Sequence, residues 1–180
     1  MKEEEIRPHY LFKKYLELSS KDAKNFFQGT DRQNLNCPAC DSGQVKFEFI
    51  KFGFEYASCV NCHSLYQTPR PPIEKFEDFY KHSLSSEYWA KTFFPKVAES
   101  RRNSIFKPRV KRLMNFCKEK SFSPSTVVDV GAGYGIFLEE WEKVNPVARC
   151  VAIEPSQNLA EICQTKGLEV INQMAEDVIN

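Results

Sequence analysis

The 180-residue sequence has no long apolar run; its longest unbroken one is four residues, Cys150–Ile153. A transmembrane helix needs about 20, so a membrane span is excluded. An excess of charge of one sign is missing as well. The 25 Lys and Arg face 24 Asp and Glu, for a formal net charge of +1, which argues against a generic binder of polyanions. No basic stretch followed by an apolar segment opens the chain, so no secretory leader is read and the expectation is a cytoplasmic protein. Internal repeats and low-complexity tracts are absent. What is present is an ordinary globular composition, 42% hydrophobic and 27% charged, on a chain long enough to bury most of its apolar surface in a core.

Glycine is scarce. Of seven, three fall within Gly131–Gly135, and Gly43 and Gly53 lie between cysteines. Charge is also uneven: residues 70–112 carry a surplus of six positive charges and 113–180 a surplus of five negative ones. Four segments follow from these shifts. Residues 1–36 read as helical, with Leu11, Phe12, Tyr15, Leu16 and Leu18 recurring at helical spacing over His9–Phe27. Residues 37–67 hold paired cysteines. Residues 68–123 open with the breaker Thr-Pro-Arg-Pro-Pro and continue with helices near Pro72–Lys81 and Ala98–Lys118. From 124 to 180 the pattern becomes strand, glycine turn, helix, strand, helix, strand.

Seven cysteines make an odd number, which speaks against a disulfide framework. Four are spaced C-x2-C-x18-C-x2-C as Cys37, Cys40, Cys59 and Cys62. Each Cys-x-x-Cys turn aims two thiolates at one point, and two turns complete a tetrahedral cage with no position left for substrate. Between them Val45, Phe47 and Phe49, then Phe52, Phe54 and Tyr56, alternate with polar residues on either side of Gly53, the signature of a hairpin that brings the pairs together. These four are predicted to ligate a structural zinc ion. Neither pair has the βαβ surroundings of a redox dithiol. His63 is read as a surface neighbour of the site, and Lys46 and Lys51 against three acids make a weak phosphate-binding surface. Cys117, Cys150 and Cys163 fall at apolar positions and are expected to be buried thiols.

Thr126–Val130 is a β-branched run leading into Gly131-Ala-Gly-Tyr-Gly135 and then an apolar helix, the context a glycine-rich turn needs before it means anything. A dinucleotide fingerprint would need its third glycine at Ile136, and the Gly-Lys-Ser/Thr of a nucleoside triphosphate loop is absent. The motif is instead G-x-G-x-G after Asp129, with a second strand, Cys150–Ile153, ending in Glu154. An acid at that strand end can accept both hydroxyls of a ribose; the alternative is an acid at the start of the following helix.

"VVDVGAGYGIFLEE" followed by "VAIEPS" resembles the class I S-adenosylmethionine-dependent methyltransferases. Together with the cysteine quartet, "TPRPP", "FY", "EYW" and "ARCVAIEPS", the chain is similar to bacterial methyltransferases that carry an N-terminal zinc ribbon and are associated with surface-glycan and sugar-nucleotide biosynthesis. The resemblance implies an α/β protein: an N-terminal helix and zinc ribbon followed by the first half of a Rossmann-like methyltransferase sheet. It implies that Asp129 and the backbone of Gly131, Ala132, Gly133, Tyr134 and Gly135 hold the methionine end of S-adenosylmethionine. Glu154 would bind the ribose, Pro155 and Ser156 would line the adenosine pocket, and Met174 stands where the family often has an adenine-contacting acid. The activity implied is methyl transfer to a small acceptor such as a nucleotide-linked sugar. Only about three of the family's seven strands fit after Ser125, so the chain is expected to be a fragment or truncated product contributing the cofactor-binding half, without methyl transfer of its own.

Two other readings stand beside this. The ribbon and the basic 70–112 block would grip RNA or protein in a macromolecular methyltransferase, or the chain would be a non-enzymatic, zinc-stabilised interaction module. Phe79-Tyr80, Tyr88-Trp89 and the basic residues Arg101, Arg102, Lys107, Arg109, Lys111 and Arg112 are read mainly as packing helices with a solvated charged face. The functional option is a cap on the cofactor with one arginine clamping a carboxylate or phosphate.

Overall fold

The computed structural model describes residues 2–179 and is a mixed α/β structure with two small sheets. It divides into two compact units: one runs to Leu16 and resumes at Tyr80, the other is Glu17–Phe79. Among the described residues no helix is long and apolar enough to cross a membrane.

After a short turn of helix α1 (Glu3–Ile6), helix α2 spans His9–Phe27 as its spacing predicts. The Glu4 carboxylate accepts from the His9 backbone N–H at 3.1 Å, satisfying a donor the helix start leaves open. The second half of α2 belongs to the 17–79 unit, where Phe27 is buried against the rings of Phe26, Phe54, Phe76 and Phe79. That unit also holds the antiparallel sheet β1 (Val45–Lys51), β2 (Phe54–Cys59) and β3 (Leu65–Gln67), in that order. Phe52 and Gly53, both at positive φ, form the two-residue turn between Lys51 and Phe54, the conformation that matches strand twist. Helix α3 (Ile73–His82) follows the proline-rich breaker.

The other unit begins its second stretch with an almost unbroken helical run: α4 (Leu84–Tyr88), a π turn at Trp89–Phe93, α5 (Phe94–Arg101), a second π turn at Arg102–Phe106, and α6 (Lys107–Glu119). The Ser83 hydroxyl caps α4 by accepting from the Ser86 N–H. The single helix expected over Ala98–Lys118 is thus corrected: it starts at Phe94 and is interrupted once. The cause is legible in hindsight. Pro95 and Pro108 each stand two residues after a π turn, and a proline lacks the N–H for the i→i−4 ladder and crowds the preceding carbonyl. Each π turn instead closes through an i→i−5 bond, Phe94 N–H to Trp89 O and Lys107 N–H to Arg102 O.

The second sheet is parallel, in the order β4 (Thr126–Val130), β5 (Arg149–Ile153), β6 (Glu169–Ile171), with α7 (Ile136–Val144) and α8 (Gln157–Thr165) as crossovers and α9 (Ala175–Ile179) at the end. Parallel neighbours require such crossovers. The core lies here: Leu138, Ala152 and Cys163 are fully buried among Val110, Phe137, Trp141 and Leu168. Cys117, Cys150 and Cys163 are all buried. The outer edge of β4 is unpaired among the described residues, and Val128 and Val130 lie exposed on it.

Candidate functional site

Two sites emerge, one in each unit. In the 17–79 unit, Cys37, Cys40, Cys59 and Cys62 place their sulfurs within 4.8 Å of one another, with Cys37 to Cys62 at 3.5 Å and Cys40 to Cys59 at 3.6 Å. A tetrahedron with metal–sulfur bonds of about 2.3 Å has edges of about 3.8 Å, so the four thiols could hold a metal ion. None is in a disulfide.

The same backbone device presents both pairs. Cys37 N–H donates to Ser42 O and Cys59 N–H to Ser64 O, each at 2.9 Å; Asp41 N–H donates to Cys37 O and His63 N–H to Cys59 O. Asp41 and His63 both take positive φ, 58° and 61°. The sequence therefore contains the duplicated unit Cys-x-x-Cys-x-Ser, a signal the spacing of cysteines alone passes over. It also fixes the role of His63, the left-handed residue that closes the second turn, exposed and outside the sulfur cluster. The thiols are not equivalent. Hydrogen bonds from the Ser64 hydroxyl and backbone pull Cys62 down to about 6, whereas burial pushes Cys37 up to about 11.

In the other unit, the turn after β4 carries Gly131, Gly133 and Gly135 at positive φ. The three are not alike. A Cβ on Gly131 would meet nothing within 4 Å and one on Gly133 only the Gly131 carbonyl at 3.9 Å, so both present bare backbone to open space. A Cβ on Gly135 would lie 2.6 Å from Leu168 Cδ1 and 3.0 Å from Cys163 Sγ; this glycine lets the turn close onto α8 and β6. Gly131 N–H and Ala132 N–H both donate to Ile153 O, tying the turn to the end of β5.

Glu154, next along that strand, is 5% exposed. Its carboxylate accepts from Gly133 N–H at 2.8 Å and Ser156 N–H at 2.9 Å, and its carbonyl accepts from Asn172 Nδ2 at 2.7 Å. It thereby holds the glycine turn, with one bond on each oxygen and lone-pair capacity left on both. Burial raises its pKa, against the two backbone bonds. Asp129, half-buried at the end of β4, is pushed up to about 6, chiefly by burial and further by Glu154, with Arg109 opposing. Tyr80 lies within the field of Glu154 and Glu176, and burial first and then Glu154 raise its pKa.

Ser156 precedes α8, and its buried hydroxyl has no hydrogen-bond partner, a polar atom left available beside Glu154. Pro155 is half-buried between them, Ala132 and Tyr134 are half-buried on the turn, and Met174 is half-buried ahead of α9, accepting from Asp177 N–H. Three further partners escaped the sequence reading because no motif marks them. The Phe94 ring stacks on Tyr134 at 4.6 Å, Lys166 Nζ reaches Tyr134 O at 2.6 Å and sits over its ring, and Cys163 Sγ lies 3.3 Å from Gly133 O.

No protein-family model and no curated protein sequence matches this chain.

Proposed function

We propose that this chain is a zinc-ribbon protein carrying the cofactor-binding part of a Rossmann-like, S-adenosylmethionine-dependent methyltransferase, with a small molecule as acceptor. In this reading residues 37–67 are the ribbon, 68–123 a helical segment before the cofactor domain, and 124–180 that domain. The observation that carries it is the turn with two open-faced glycines, Gly131 and Gly133, latched by a buried Glu154 at the end of the neighbouring parallel strand. Open glycine backbone admits close approach of a ligand, and a strand-end acid suits ribose hydroxyls.

The residues fit the cofactor on chemistry of this chain's own. Asp129 and Glu154 are acids whose burial disfavours their charged forms, so a cation brought beside them is favoured; the cofactor carries an ammonium and a sulfonium. The unpartnered Ser156 hydroxyl supplies a donor and acceptor at the same edge. Asp129 would hold the ammonium, Glu154 would accept from the ribose through its remaining lone pairs, and Pro155, Ser156 and Met174 would flank the adenosine. When bound, the cofactor supplies an electrophilic methyl group, and the protein's task is to exclude water and align the acceptor. Zinc is the metal that four thiolates in a closed tetrahedral shell favour, and its role there is structural.

Calorimetric titration of the zinc-loaded chain with S-adenosylmethionine tests the reading. Binding to the wild type that Glu154→Ala and Gly133→Val both abolish is expected. A folded chain that binds no cofactor, or binds equally in all three forms, sinks it.

A further inference from the structure

Two adjacent arginines are wired in opposite ways. Arg102 Nη1 donates to Glu140 at 2.5 Å and its Nη2 to Glu139 at 2.7 Å. Arg101, one residue earlier, has no carboxylate within 4 Å among the described residues; its Nη1 donates to Ile6 O at 3.4 Å, and its Nε–H is buried without a partner. The charges that act on it are those of Arg7 and Arg109, and these, after burial, push its pKa down.

All three guanidiniums are held by aromatic faces. Arg101 lies over Trp89 at 5.8 Å and Phe94 at 5.4 Å, Arg7 over Phe12 at 4.6 Å, and Arg109 over Phe106 at 5.9 Å. Stacking engages the face of the guanidinium plane and leaves its in-plane fork of N–H donors free. Arg7 pairs with the exposed Glu3 at 3.5 Å, and Asp129 lies in the field of Arg109. Gathering like charges costs energy unless an anion sits among them, and a buried unpaired guanidinium N–H costs more. The cluster borders the glycine turn: Arg109 acts on Asp129, and Phe94, beneath Arg101, stacks on Tyr134.

We propose that Arg101, with Arg109 and Arg7, is a receiving site for a phosphate group on the ligand that this unit acts on. Three guanidinium forks offer more donors than one carboxylate can accept, whereas a phosphate presents enough acceptor oxygens for several forks at once. That the phosphate belongs to the methyl acceptor rests on the function proposed above; the anion site itself does not.

The test uses the whole zinc-loaded chain and inorganic pyrophosphate, with acetate and chloride at matched ionic strength as comparisons. Saturable, one-site binding of pyrophosphate and not of acetate is expected. Arg109→Gln, an exposed position, should weaken it by roughly tenfold, and Arg101→Lys, which keeps the charge and loses the fork, by a similar factor. Affinity unchanged from wild type in both variants, equal binding of acetate, or no binding by the folded wild type overturns the site. So does steeply salt-dependent binding of RNA through these arginines in place of pyrophosphate, which would make the ligand a macromolecule. Titration of the same samples with S-adenosylmethionine separates the two ideas. Pyrophosphate binding without cofactor binding defeats the proposed function and leaves the anion site standing, and the reverse defeats only the anion site.

Discussion

Every residue of β1 in the antiparallel sheet is exposed, Phe47 and Ile50 among them, and the buried side chains of the cysteine end are Cys37, Ala57 and Cys59. In the parallel sheet β5 buries four of its five residues, and Leu138, Trp141, Cys163 and Leu168 close over it. The cysteine end of the first region has almost no apolar interior, Phe54 being the β2 ring that packs on Phe27, so a metal ion joining the four sulfurs would supply its order. The second is held by ordinary burial, which contributes roughly 25 cal/mol per Å² of apolar surface. On the proposed reading, one sequence relies on coordination where it is too thin to have a core and on packing where it has one.

The largest expected effect comes from removing the metal. Chelation, or Cys59→Ser, should collapse the amide protection of β1 and β2, because structural thiolate–zinc sites contribute on the order of 10 kcal/mol. Hydrogen exchange by mass spectrometry reads this directly, and protection that survives chelation would erase the contrast between the regions. Next is Leu138→Ala, which removes a side chain with no exposed surface and should cost about 2–5 kcal/mol in urea unfolding. Cobalt substituted at the cysteines should keep its thiolate absorbance in that variant.

Gly135→Ala comes third. It adds a clash with Leu168, about 1–3 kcal/mol, to the strain of its φ of +70°, whereas Gly131→Ala, with open space before it, should cost only the backbone strain, about 1–2 kcal/mol. Similar losses in urea midpoint for both would show that Gly135 has no packing role. The last effect is that of pH. Asp129 titrates near 6 in the folded chain against 3.8 for an unperturbed aspartate. The folded state therefore prefers the protonated acid, and the stability this gives is full below about pH 4 and lost as pH rises through about 6. Asp129→Asn should flatten that part of the urea midpoint against pH; an unchanged profile contradicts the assignment.

The sequence made the regular parts legible. Helix α2, the hairpin around Gly53, the strand Thr126–Val130 and the glycine turn follow from apolar period and from glycine, which are local properties. The strand β3 was not read, since three residues at Leu65–Gln67 carry too little pattern and owe their conformation to pairing with β2. The π turns are not legible in the apolar spacing, which carries the expected helix Ala98–Lys118 straight through Pro108 and leaves Pro95 outside it. In the site, residue type and spacing named Glu154 and the cysteines, but not that Glu154 clasps Gly133, nor that Arg101 and Arg102 have opposite partners. Those depend on which side chains the fold brings across 21 to 38 residues of chain.

The most direct test of the account is hydrogen exchange of the zinc-loaded chain with and without S-adenosylmethionine. Slowed exchange at Gly131–Gly135 and around Glu154–Ser156, with residues 37–67 unchanged, is the predicted result. Unchanged exchange at the glycine turn, or protection confined to the cysteine region, would contradict the placement of the cofactor.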